Sequence, residues 1–457
     1  MIGGKLMNKS KADRSVKRNL VRWLIAMLCF LLLLPDAVET RSACADILTD
    51  MPADGGLAVD QAFLKEAQIY VRENEIEKAR ESLKRYAEKK PDSPHPEIIL
   101  SQLLAGAGRG AEAGEVIESL AAENPDRMDV RLFFARNAIA QSRWYDGWTH
   151  LQMAAAAKKS ERWSEEYKSQ LDDDRMRLLA AYHEDRGQLE KADAIYESLA
   201  RKPDVSADAL TAFGRVRFRL DDKVMARKAF DRAFELDPTR EVPALSMALL
   251  YDLEKKSNEA ERQFRSAINH PNQKGAERAK IGFARWLLWN NRPADILDVL
   301  AGPFESAEAN GERLVLQAMA KRMNGDFSGA IEILSPIHQQ NPTQLTVGNE
   351  MALAMIESKD ERLRSRALQI AQLMVRNNPN RTDCWATLGW VQFRLGDITS
   401  AKDSFSRAVS GGGISRDTAW HLSQLQSQLG NQEQAEQLLE SAKVSKGPFF
   451  SEALIKD

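Results

Sequence analysis

Side chains that carry out chemistry show in a sequence as histidine, cysteine, serine and carboxylate repeating at short, fixed spacing. Here they do not repeat in that way. The six histidines, His95, His150, His183, His270, His338 and His421, lie far apart, with no HExxH or similar pairing. Cysteine occurs only at Cys29, Cys44 and Cys384. No pair of these has metal-ligand spacing, and no disulfide framework can form in the body of the chain. GxSxG, the P-loop, GxGxxG after a strand and CxxC are all missing. Asp172, Asp173 and Asp174 stand in a row. Three consecutive carboxylates leave a helix in different directions and cannot converge on one cation. With Arg175 and Arg177 behind them they read as a helix N-terminus, where the dipole favours acids. Gly411, Gly412 and Gly413 fall between repeated segments and read as a loosened turn. The expectation is a protein with no catalytic, cofactor or metal site.

The elements must therefore position a surface for binding, not a reaction centre. The chain has 457 residues, 28% of them charged, and a formal net charge of -2. Good helix formers dominate. No basic balance points to nucleic acid. Length alone suggests two to four compact domains.

The first 45 residues differ from the rest. Lys5, Lys9, Lys11, Arg14, Lys17, Arg18 and Arg22 precede an unbroken apolar run at 23–34. Pro35 ends the run, and Ala43-Cys44-Ala45 offers a small-residue cleavage site. Basic, then apolar, then small is the order of an export signal peptide. Twelve helical residues cover about 18 Å, short of a bilayer core of about 30 Å. Four readings stay open: a cleaved signal, a short uncleaved anchor extended by Leu20 and Val21, a lipidated Cys44, and a buried helix of a cytosolic protein, which the seven adjacent cations count against. Arg41 and the early end of the apolar run count against lipidation. In each of the first three readings the basic residues stay cytoplasmic and the remaining chain lies outside. Cleavage after Ala45 removes eight Lys/Arg and three Asp/Glu, so the mature charge is -2 - 5 = -7. Cys384 is then the sole cysteine, which an oxidising compartment tolerates.

Beyond the leader the chain repeats. Trp385, Leu388, Gly389, Ala401, Phe405 and Ala408 share their offsets with Leu210, Phe213, Gly214, Ala226, Phe230 and Ala233, and Pro238 closes the second set. Units at 60, 94 and 128 keep step at 34 residues, carrying Ala79, Ala113 and Ala135, with Pro91 and Pro125 between them. About eleven extra residues follow, within 158–172. Units at 173, 207, 241 and 275 then run without a slip. The next, after a two-residue shift, carries Gly325, Asp326, Ala330 and Pro342; a longer one carries Ala367 and Pro379. The last two hold Gly389 and Gly430. This pattern resembles the tetratricopeptide repeat family, a helix-turn-helix of 34 residues with W-x2-L-G-x2-Y, A-x3-F and a final Pro.

The resemblance implies an all-α, right-handed solenoid of about eleven hairpins. Its parts are a signal or anchor (1–45), a linker (46–59), N-terminal units (60–161), an insertion (162–172), central units (173–344), C-terminal units (345–449) and a tail (450–457). Small residues such as Gly214, Gly389, Ala226 and Ala401 sit where the two helices cross; Trp385, Phe405 and Phe230 fill between units. Gly-Asp or Asp-Asp ends first helices at 396–397, 325–326 and 221–222. Pro238, Pro342 and Pro379 stop second helices. The pattern is imperfect: the family's tyrosine position holds Gln392, Arg217, His183 and Gln426 in several units. A charge-rich stretch from Glu357 to Ser365 reads as a long inter-helix turn. Phe449, Phe450, Leu454 and Ile455 read as a cap on the last unit.

Members of this family present the first helix of each unit on the concave side. Carried onto this register, the exposed places are Arg136, Arg215 and Arg219 in the first half. From about 245 they turn apolar and include Leu249, Phe283, Trp286, Met319, Trp390 and Phe393. Such a stripe suits a groove for an apolar helix or extended peptide, or else packs against the next unit. The Lys and Asn set of the charged-peptide clamp has no match at Thr211/Arg215 or Ala386/Trp390. The expected function is a non-enzymatic protein-interaction scaffold outside the cytoplasm. Its partners are protein or peptide, not nucleic acid, and it meets a membrane only through its N-terminal segment. The alternative is carbohydrate or polymer handling through Trp286, Trp289 and Trp390.

Overall fold

The computed structural model describes residues 59–410 and 414–455. The leader, most of the linker, Cys29, Cys44 and Gly411, Gly412 and Gly413 lie outside the described residues. Within them are twenty-two α-helices and no strand.

The described residues form two compact units divided at Lys255/Lys256. The N-terminal unit contains α1 (Val59–Arg72), α2 (Ile76–Lys89), α3 (Pro96–Gly106), α4 (Gly110–Glu123), α5 (Met128–Ala140), α6 (Trp144–Ala156), α7 (Glu165–Asp185), α8 (Leu189–Ala200), α9 (Ala207–Arg219), α10 (Lys223–Leu236) and α11 (Pro243–Leu253). The C-terminal unit contains α12 (Ser257–Ala267), α13 (Gln273–Trp289), α14 (Pro293–Val299), α15 (Ala307–Met323), α16 (Phe327–Gln340), α17 (Leu345–Ile356), α18 (Glu361–Asn377), α19 (Thr382–Arg394), α20 (Ile398–Val409), α21 (Arg416–Gln428) and α22 (Gln432–Val444). Consecutive helices pack as hairpins, and within each unit a hairpin packs on its neighbour. Such an array buries each apolar face only against the next repeat.

The crossings are built as the spacing predicts. Ala226 and Ala401 are fully buried. A methyl placed on Gly214 would lie 2.8 Å from the Phe230 ring, and one on Gly389 would lie 3.0 Å from Phe405. Only glycine lets these helices approach so closely. The two-residue turns divide their labour. Asp221, Gly325 and Gly396 take a left-handed backbone. The aspartate that follows caps the next helix: Asp222, Asp326 and Asp397 accept N–H bonds from Met225, Gly329 and Ser400.

Several expectations need correction. Asp172, Asp173 and Asp174 are in the middle of α7, not at its start. Ser164 caps that helix and Glu165 and Glu166 occupy its first turn, so the segment 165–172 extends the helix by two turns. Each aspartate meets a different cation: Asp172 pairs with Lys159 at 2.5 Å, Asp173 with Lys202, and Asp174 with Arg136 and Arg177. Trp163, ahead of the helix, is buried beneath the Arg127 guanidinium. The long turn expected at 357–365 is also shorter. Asp360 caps α18, and the extra residues lengthen that helix to 17.

Candidate functional site

In the N-terminal unit Arg136 lies on α5, and Arg215 and Arg219 lie on α9. Glu184 on α7 accepts both Nε and Nη2 of Arg215 at 2.7 and 2.8 Å, and Nη1 of Arg219 at 3.1 Å. Burial pushes the Glu184 carboxyl up, but the two guanidiniums outweigh it and hold it below the usual carboxylate value. Asp174 likewise sits between Arg136 and Arg177, at 2.5 and 2.6 Å. The carboxylates are largely covered, whereas the Arg136, Arg215 and Arg219 side chains remain about 40% exposed. In each group two guanidiniums share one largely covered carboxylate. Leu249, on α11, is half-buried.

Much of the apolar stripe in the C-terminal unit is interior packing. Phe283 is fully buried, stacked on Phe264 with centroids 5.2 Å apart, and Trp286 tilts against both rings. These residues bury the α12–α13 contact and face no groove. Trp390 is buried as well. Its indole N–H donates to Glu357 at 3.0 Å, and its ring lies between Phe393 at 5.3 Å and His421 at 4.0 Å. Met319 and Phe393 are half-buried at the edge of the core.

The residues beyond α22 bring several distant side chains together. Asn291, in the α13–α14 turn, grips the backbone of this tail. Its amide donates to the Gly447 carbonyl at 3.1 Å, and its carbonyl accepts the Phe449 N–H at 2.6 Å. Asn291 has a left-handed backbone, which asparagine tolerates better than most residues. Arg416 donates to the same Gly447 carbonyl at 2.9 Å and covers the Phe449 ring. The Phe450 ring lies 4.3 Å from the Arg322 guanidinium carbon, at cation–π range. Arg322 is itself buried in an ion pair with Glu350 of α17, at 2.8 Å. Asp417 accepts the N–H groups of Phe450 and Ser451 and the Ser451 hydroxyl, and His421 Nε2 lies 3.1 Å from that hydroxyl. Ser451 is buried.

The tail therefore does pack on the last hairpin, through Asp417 and Trp420, and it also reaches α13 and α15. A straight stack would separate α13 from α21 by about 40 Å, taking about 10 Å for each hairpin step. Three residues from Val444 to Gly447 span at most about 11 Å. The hairpins of the C-terminal unit thus curl, with their first helices inward, and the tail crosses the inside of the curl. The sequence reading missed Asn291, Arg322, Glu350, Asp417 and His421. A visible signal was Gly447-Pro448-Phe449-Phe450, an aromatic pair after two helix breakers outside the repeat register.

Two segments, residues 64–127 and 417–441, match models described as tetratricopeptide repeat. No curated protein sequence matches the chain. Among solved structures it is similar to a chain in the APC/C hetero-tetramer Cut9-Hcn1, at 13% identity, covering 87% of this chain and 73% of that one, with TM-score 0.42. It is similar to PilW, a widely conserved type IV pilus biogenesis factor, at 18% identity over 51% of this chain and 98% of that one, with TM-score 0.33. The P58(IPK) TPR domain matches at 15% identity over 74% of this chain and 99% of that one, with TM-score 0.24. The two matched segments, near both ends of the described residues, thus carry tetratricopeptide repeats, and the hairpins between them, with glycine crossings at Gly214 and Gly389, continue the same all-α helical-repeat fold.

Proposed function

We propose that this protein is a non-enzymatic interaction scaffold outside the cytoplasm that holds an extended segment of a partner protein against the inner walls of its hairpins. The observation that carries the reading is the hold on the tail. Asn291 bonds one backbone carbonyl and one backbone N–H, Asp417 takes two further N–H groups, and Arg322 seats an aromatic ring. Backbone bonds supply affinity for any extended peptide, and side-chain seats add selectivity. In the N-terminal unit, taken by itself, the part-exposed Arg136, Arg215 and Arg219 suit an acidic peptide stretch. The leader's order of basic, apolar and small residues supports the extracytoplasmic part.

Carbohydrate handling has less support. A sugar needs exposed, flat tryptophans, yet Trp286 and Trp390 are buried and the tail at Gly447 lies against the Trp289 ring.

Affinity capture on the immobilised protein from cell-envelope extract, with mass spectrometry of the eluate, tests the reading. Reproducible retention of one protein is expected; retention of polysaccharide alone would refute it. A reporter enzyme active only outside the cytoplasm, fused after Asp457, should be active. An inactive fusion removes the export claim and leaves the scaffold claim standing.

A further inference from the structure

We infer that the tail from Gly447 to Ile455 is a tethered occupant of the C-terminal unit's inner wall, and that partners reach this wall by displacing it. The displacing partner is a segment with the same chemistry and the same bend: a glycine, two adjacent aromatics and then a hydroxyl. The inference rests on the scaffold reading above and names the ligand class of that site.

The contacts are of the kind that read a peptide. A solenoid end needs only an apolar lid on its last hairpin, and Phe449 against Trp420 supplies that. Arg416, Asp417 and His421 add directional contacts from the last hairpin, whereas those of Asn291 and Arg322 come from hairpins remote from it. The Asn291 amide is a two-way clamp that bonds the backbone on both sides of Pro448 and ignores side-chain identity. Gly447 adopts φ of +115°, and a Cβ there would meet the Trp289 ring at 3.4 Å, so this position accepts little besides glycine. The Phe450 seat is a cation whose counter-ion, Glu350, lies beneath it. The seat thus keeps its charge balance when the ring leaves. Asp417 and His421 converge on one hydroxyl, and Arg322 and Arg394 are the cations that bear on His421. Past Ser451 the segment is nearer the solvent: Glu452 and Ile455 are exposed, and Leu454 is half-buried. The held segment is short and is joined to α22 through the exposed Lys446. It can therefore leave without unwinding α22, taking with it the 3-10 turn at Glu452–Leu454.

The test is competition. A fluorescent peptide with the sequence of residues 445–457 is titrated against the full chain and against the full-length double variant Phe449→Ala/Phe450→Ala. A tethered segment acts at an effective concentration in the millimolar range, so the wild type should bind the peptide weakly. The variant should bind it at least about ten-fold tighter. A peptide in which both phenylalanines are alanine should bind neither protein. Gly447→Val, which strains the held backbone but keeps both rings to cover the core, should also admit the peptide. Either variant remaining folded by circular dichroism yet refusing the peptide would overturn the inference. Loss of fold in both would overturn it too, because an indispensable tail is not a displaceable occupant. Exchange of tails between copies, seen as a doubled mass, would replace the partner with a second copy and refute the inference as stated. Envelope proteins captured equally by wild type and both variants would refute tail displacement while leaving the scaffold reading intact. Peptide exchange without any captured protein would do the reverse.

Discussion

Replacing Gly214 by alanine isolates the close crossing of α9 on α10. In a helix interior, glycine to alanine gains about 1 kcal/mol of backbone propensity. At Gly214 the new methyl would stand 2.8, 2.9 and 3.0 Å from three atoms of the Phe230 ring. That ring is buried and cannot swing into solvent. Forcing a methyl into such a core costs about 1–3 kcal/mol. The net effect is a change from near zero to a loss of about 2 kcal/mol. Gly114, inside α4 of the same unit, supplies the control, because a methyl there meets nothing within 4 Å. Gly114→Ala should stabilise by about 1 kcal/mol. The propensity gain cancels between the two variants, leaving a difference of about 1–3 kcal/mol that belongs to the crossing. For a unit of about 200 residues this separates the melting points by about 2–12 °C. Circular dichroism melts of the full chain give the separation, and hydrogen exchange on α3–α4 and α9–α10 assigns it to the unit. Adding Phe230→Leu to Gly214→Ala should recover part of the loss. If Gly214→Ala proves as stable as Gly114→Ala, the close crossing is not what holds the hairpin.

Glu350→Ala leaves Arg322 buried without its carboxylate and should destabilise the C-terminal unit by about 3–5 kcal/mol. Glu350→Gln should cost less, and a loss under about 1 kcal/mol in denaturant titration would contradict the buried pair. Burial pushes the Cys384 thiol up to about 12. At pH 8 its thiolate is about one part in ten thousand, so reaction with an aromatic disulfide should follow global unfolding; fast native labelling would refute this. Burial first, then Arg322 and Arg394, hold the His421 imidazole well below its usual value. The unfolded chain takes up that proton below about pH 6.5 and the folded chain does not. Stability should therefore be full above that pH and fall as the solution is acidified. His421→Gln should flatten this limb of the pH–stability curve, and an unchanged slope would remove His421 as its source.

The hairpins were legible in the sequence because their packing is local. Gly214 meets Phe230, and Gly389 meets Phe405, sixteen residues along the chain, so residue type and spacing carry the contact directly. The Asp221-Asp222 and Gly396-Asp397 turns were legible for the same reason: backbone handedness and capping are properties of a few neighbouring residues. The candidate wall was legible only as a face. Register placed Phe283, Trp286, Trp390 and Phe393 on first helices, but how far each is covered depends on the neighbouring hairpin. Phe283 vanishes into the α12–α13 contact, while Phe393 stays half-buried.

Register also misled at the insertion. Asp172, Asp173 and Asp174 look like the acids of a helix start until Ser164 is seen capping the helix eight residues earlier. The sequence alone thus determined the repeat, its turns and the identity of the residues at each crossing. Only the tertiary structure decided what the inner wall holds. Asn291 and Phe449 are 158 residues apart, and no short-range pattern links them. Their meeting depends on a small rotation at each hairpin, set by side-chain volumes and summed from α13 to α21.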